Sequence, residues 1–279
     1  MLLLIGVVIG LVLGLTGAGG SVFAVPLLIV VADMDIHQAI GLSLLAVAAS
    51  AIFGSLRFSH RQPVLWLPAV ILSMSGIAIV PLGQWLGLQV SASLLITGFS
   101  LLAILIAARM WRLAVNQPEQ AAVTRGSDFS GTDGDGLLCR FSPTGQFQMR
   151  PRCISGLFVG GMLVGLLSGL FGVGSGFLIV PLLLFVSQIN MMQAVSTSLI
   201  VISVISSIGF ISHSLLSWQS GAALPVIWMI WMLAGGIAGM YLGQKLTRKI
   251  ANARLQKIFA LALALMAVTM LVFHFSGQE

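Results

Sequence analysis

The chain has 279 residues, of which 58% are hydrophobic and only 7% charged. A typical soluble domain is about 25% charged, so a water-soluble fold of this size would have too few charges to cover its surface, and the composition places the chain in a membrane. The net charge of +6 does not point to a nucleic-acid partner, because the basic residues lie between apolar segments, as in membrane topology, and not in a soluble basic domain.

The N-terminal run MLLLIGVVIGLVLGLTG is apolar from its second residue and has neither a basic leader nor a small-x-small cleavage site. It reads as the first membrane segment. Apolar segments follow at roughly 21–32, 38–56, 63–87 and 92–108. The stretch 109–152 is polar, contains GSDFSGTDGDG, and has too little apolar material for a core; it reads as a flexible linker. Five more segments run at roughly 153–170, 176–187, 193–212, 222–244 and 255–275. The expected organisation is a first transmembrane repeat (1–108), a linker (109–152) and a second repeat (153–279).

The halves repeat each other. GLTGAGGSVFAVPLL at 14–28 matches GLFGVGSGFLIVPLL at 169–183, and QAIGLSLLAV at 38–47 matches QAVSTSLIVI at 193–202, both offset by 155 residues. Farther on, LGQWL at 82–86 matches LGQKL at 242–246, and Gly76 matches Gly236. This is an internal duplication.

All 13 lysines and arginines fall in three places: Arg57 and Arg61, the linker, and Lys245 to Lys257. If those three loops are cytoplasmic, the positive-inside rule is obeyed throughout. Asp33, Asp35 and Glu279 then face the other side, as do both termini. Equivalent loops of the two halves end up on opposite sides, so the repeats are inverted, as in many secondary transporters. The expected fold is an all-α polytopic membrane protein. Each half contributes a short glycine-tipped helical hairpin plus three transmembrane helices.

The first two segments of each half look too short for a roughly 30 Å hydrocarbon core. Glycines separate them: Gly17, Gly19 and Gly20 in one half, Gly172, Gly174 and Gly176 in the other. A hairpin tip at membrane depth must line a cavity or be buried in protein. Free N–H groups at the start of the second arm, near Ser21 or Gly176, would bind an anion through amides and dipole. The competing reading is close helix packing, which suits Gly6, Gly10 and Gly14, and Gly156, Gly160 or Gly161, and Gly165.

Other candidates for anion contact are Ser175 at the second tip, Ser43 with its counterpart Ser198, and Thr197. These hydroxyls either donate to an anion or bond their own helix backbone. Gln38 with Gln193, and Gln84 with Gln244, are equivalent pairs of secondary interest. Arg57 either draws an anion inward or anchors its helix by snorkelling. His60 is a further secondary candidate, and His213 reads as a structural residue near the outer side. No Asp or Glu lies within a span, which disfavours a carboxylate proton relay or cation pump. No nucleophile–base pair or metal-ligand spacing is present in the spans, so neither an enzyme, a metal nor a cofactor is expected. The two cysteines, Cys139 and Cys153, are weak grounds for a disulfide.

The doubled motif, GLVLGLTGAGGSVFAVPLL and GLLSGLFGVGSGFLIVPLL each followed by QA-x-x-x-SL, resembles the sulfite exporter TauE/SafE family of permeases over both halves. The resemblance implies a multi-pass transporter of the bacterial inner membrane. Its partners would be the bilayer and a small anion such as sulfite, sulfoacetate or a related sulfonate. Export by alternating access is the first expectation, and an anion channel or uptake permease on the same scaffold the second. Oligomeric state is not readable.

Overall fold

A computed structural model describes residues 1–17, 19–59, 64–116, 140–141, 147–148, 151–172, 178–180, 182–183, 191–219, 224–247, 260–269 and 271–272. In the first half, α1 (Leu2–Thr16) leads through a 3-10 turn (Gly19–Phe23) into α2 (Ala24–Ala32). Then come α3 (Ile36–Ser59), α4 (Trp66–Gln89) and α5 (Ala92–Asn116). The second half has α6 (Pro151–Phe171), α7 (Met191–Gln219), α8 (Val226–Thr247) and the shorter apolar α9 (Ala260–Thr269). Between the halves, Arg140–Phe141 and Phe147–Gln148 form a two-residue antiparallel ribbon.

Local chemistry sets several boundaries. Asp33 ends α2 in the left-handed region, with φ 50°, a conformation Asp adopts more readily than most residues. Asp35 then starts α3, its Oδ2 accepting the His37 N–H at 3.1 Å, an N-cap bond. The helix α5 continues through Arg109 and Arg112 to Asn116, so the first turns of the expected linker are helical. The hairpin expectation holds in the first half, where the arms have 15 and 9 residues. In the second half the first arm is not short: α6 has 21 residues, about 31 Å of helix.

Five described helices are long and apolar enough to cross a membrane: α3, α4, α6, α7 and α8. Large apolar side chains stand outside the bundle, among them Leu4, Trp66, Met74, Leu101 and Trp218. Among the described residues the buried polar side chains include no Asp, Glu, Lys or Arg, and most are serines. An apolar exterior over an interior dotted with hydroxyls suits a lipid surround. The chain is thus an all-helical polytopic membrane protein apart from the small linker ribbon.

The halves interlock. Gly6 and Gly14 of α1 face Met232 and Met240 of α8 at 2.9 and 2.8 Å from a notional Cβ to the backbone oxygens. Gly161, Gly165 and Gly169 of α6 face Leu72, Gly76 and Val80 of α4 in the same way. Both seams run parallel, and each is the repeat counterpart of the other. At the centre α3 and α7 run in opposite directions, Gly41 lying against His213 and Gly209 against Leu44. Because α3 and α7 are themselves repeat counterparts, equivalent elements point opposite ways. Cys153, fully buried at the foot of α6, is disulfide-bonded.

Candidate functional site

Each hairpin tip opens with a glycine in the left-handed region. Gly17 has φ 73° and Gly172 has φ 63°. Both close their helices with a backbone bond, Gly17 N–H to Leu13 O at 2.8 Å and Gly172 N–H to Ser168 O at 3.0 Å. Any other L-residue would be strained there by roughly 1–2 kcal/mol. Space is also absent. A Cβ on Gly172 would lie 2.6 Å from Ile40 Cγ2, and one on Gly17 would strike Val195 Cγ1. Ile40 and Val195 are repeat counterparts, so each tip docks on the same point of the other half's central helix.

Hydroxyls surround these contacts. Ser43 Oγ donates to Gly172 O at 2.7 Å and to Ile40 O at 2.8 Å, one proton shared between two carbonyls. Its counterpart Ser198 donates to Val195 O at 2.9 Å and, among the described residues, bonds no tip carbonyl. Thr197 Oγ1 accepts the Leu65 N–H at 3.2 Å, tying the lead-in of α4 to α7. Ser21, in the 3-10 turn with Gly19 and Gly20, is fully buried. The second arm begins at Ala24, not at Ser21, and no side chain caps it. Gly174, Ser175, Gly176 and His60 lie outside the described residues.

The glutamines divide. Gln84 is buried, and its Nε2 donates to Gly209 O at 2.6 Å while its Oε1 has no partner. Gln244 approaches Gly54, the counterpart of Gly209, and its Nε2 is buried without a partner. Gln38 and Gln193 are half-buried near the starts of α3 and α7. Arg57 is exposed at the end of α3, 5.2 Å above the Tyr241 ring, which Phe53 meets edge-on. A cation over an aromatic ring holds Arg57 at the end of the bundle where Gly14 and Gly54 pack on Met240.

A small cavity of about 30 Å³ lies beside the second tip, lined by His37, Ile40, Gln84, Gly87, Gly169 and His213 among others. Sequence reasoning singled out Gln84 but passed over His37 and took His213 as structural. No local signal marks them, because α3, α4, α6 and α7 meet there only in the folded chain. Among the described residues, no group of three His, Cys, Asp or Glu is placed to hold a metal.

Comparison with known proteins gives a consistent result. A probable membrane transporter protein of Xylella fastidiosa is 29% identical over 272 residues, covering 94% of this chain and 91% of its own length. One from Bacillus subtilis is 25% identical over 97% of this chain and 99% of its own length. No solved structure matches significantly. The sequence profile described as sulfite exporter TauE/SafE matches residues 2–270, and the chain therefore belongs to the TauE/SafE family of membrane transporters.

Proposed function

We propose that the protein is a secondary transporter that exports a small sulfur-containing anion, sulfite or a sulfonate, across a bacterial inner membrane by alternating access. The observation that carries this reading is the reciprocal docking of Gly17 on Val195 and Gly172 on Ile40. The two contacts lie toward opposite ends of the antiparallel α3 and α7, Ile40 level with His213 and Val195 near the Thr197–Leu65 bond, so each tip can form a half-site at its own end of the interface between the halves. At one end the first tip's amides with the hydroxyls of Ser21, Thr197 and Ser198, and at the other the second tip's amides with Ser43, bind the anion in turn without a buried countercharge, much as helix termini bind carboxylates in other inverted-repeat transporters.

The difference between the halves supports alternation. Ser43 clamps the carbonyl of Gly172, whereas Ser198 bonds only within its own helix among the described residues. Exchanging the two arrangements would open one side of the interface and close the other, and repeat symmetry makes the two states similar in energy. Export needs no proton relay, because each negative charge leaving an inside-negative cell gains about 2.3 kcal/mol per 100 mV.

Thermal unfolding of purified protein against sulfite, sulfate, thiosulfate and sulfonates tests the reading, since a ligand of the folded state raises apparent stability by mass action. A sulfur anion should stabilise the wild type, and Ser43→Ala with Ser198→Ala should abolish most of that shift while the protein still inserts. An unchanged shift in the double variant would remove the two serines from the site.

A further inference from the structure

The cavity beside the second tip contains an unmet hydrogen-bond acceptor. Gln84 is 3% exposed. Its Nε2 is committed to Gly209 O at 2.6 Å, and because a carbonyl only accepts, this bond fixes which way the amide points. Oε1 is left buried with no partner on the cavity wall. Buried acceptors are rarely left so, and an orphan of this kind marks a missing donor.

The rest of the polar wall is His37, His213 and Ser217, side chains that can both donate and accept. His213 is 6% exposed, its ring resting on Gly41, where a Cβ would lie 2.6 Å from Cδ2. His37 lines the same wall, its backbone N–H given to Asp35 Oδ2. Among the described residues, no Lys or Arg lines the cavity. A water needs about 10–15 Å³ of such space, so a cavity of about 30 Å³ has room for two or three water-sized groups.

A fully ionised oxyanion, which can only accept, leaves Gln84 Oε1 unmet. An oxyanion that still carries a proton meets it, and its other oxygens can accept from the wall. We propose that this cavity binds the hydrogen-bearing form of the transported anion, its O–H donated to Gln84 Oε1, as a station at the end of the bundle that carries Asp33 and Asp35. The inference rests on the anion-transport reading above.

The test uses the purified full-length protein at one mildly acidic pH, so that titration of His37, His213 and Asp35 is common to every comparison. The probes are hydrogensulfite, methanesulfonate (the same head group without a transferable proton) and ammonium chloride. Wild type should prefer hydrogensulfite, and Gln84→Met should weaken hydrogensulfite about tenfold while leaving methanesulfonate within about twofold. Gly87→Ala guards against a folding defect: its Cβ would meet nothing nearer than Leu170 O at 3.5 Å, yet it narrows the cavity. It should weaken hydrogensulfite several-fold with the melting temperature unchanged. An unaltered hydrogensulfite preference in both variants overturns the proposal, as does ammonium binding that Gln84→Met abolishes. If wild type neither binds nor moves any sulfur anion, the transport reading itself falls. Transport that persists with the preference unaltered removes only the cavity assignment.

Discussion

Gly17 and Gly172 carry two constraints at once, a left-handed backbone and a neighbour where a Cβ would stand. Gly17→Ala should therefore cost more than the roughly 1–2 kcal/mol of backbone strain alone. Val195→Ala should return the steric part and leave the strain, a separation that a double-mutant cycle in thermal unfolding would read. An additive cycle would mean that the Gly17–Val195 contact carries no energy. Ser43 is a second residue-scale test. Ser43→Ala leaves the Gly172 carbonyl short of a buried donor and should lower stability by about 1–3 kcal/mol. Ser198→Ala, which loses only a bond within its own helix, should cost less. The sequence marked both tips as unusual through their repeated glycines. It could not show that Ser43 faces Gly172, because that bond joins residues 129 positions apart. Nor could it show that Gln84 and His213 share a cavity, since neither lies near the other in the chain.

At the scale of elements, the two parallel seams, α1 with α8 and α6 with α4, hold the halves together through glycine backbones in direct contact. Apolar burial drives no association between helices in lipid, so such close approach and its dispersion contacts do. Gly165→Ala, whose methyl would strike the Gly76 backbone, should force the seam apart. Overpacking of this kind costs about 1–3 kcal/mol. Gly98→Ala on α5, whose methyl would meet only the Phe171 ring at 3.6 Å, should be neutral or slightly stabilising because alanine favours helix. Equal melting temperatures for the two variants would refute the seam. The element order was readable from apolar runs. Element lengths were less so: α5 and α6 extend into the polar stretch, because helical backbone satisfies itself whatever side chains it carries. The packing glycines on α1 and α6 were recognised as such, but their partners on α8 and α4 emerge only from the fold.

For the whole molecule, the duplicated sequence and the opposed directions of α3 and α7 agree on an inverted two-fold arrangement. The one-sided placement of all 13 cations favours an orientation with the Arg57 and Lys245 ends in the cytoplasm. The disulfide at Cys153 pulls the other way, since cytoplasmic thiols are normally kept reduced. Maleimide labelling of spheroplasts before and after reduction decides between them. Thiols that react only after permeabilisation, without reductant, place the linker inside. Transport itself bears most directly on the central claim. Protein reconstituted into liposomes should give a saturable sulfite flux that rises when the sulfite-loaded side is made negative and falls sharply in Gly17→Ala. No flux above protein-free liposomes, for any anion of the sulfur panel and at either sign of potential, would contradict it.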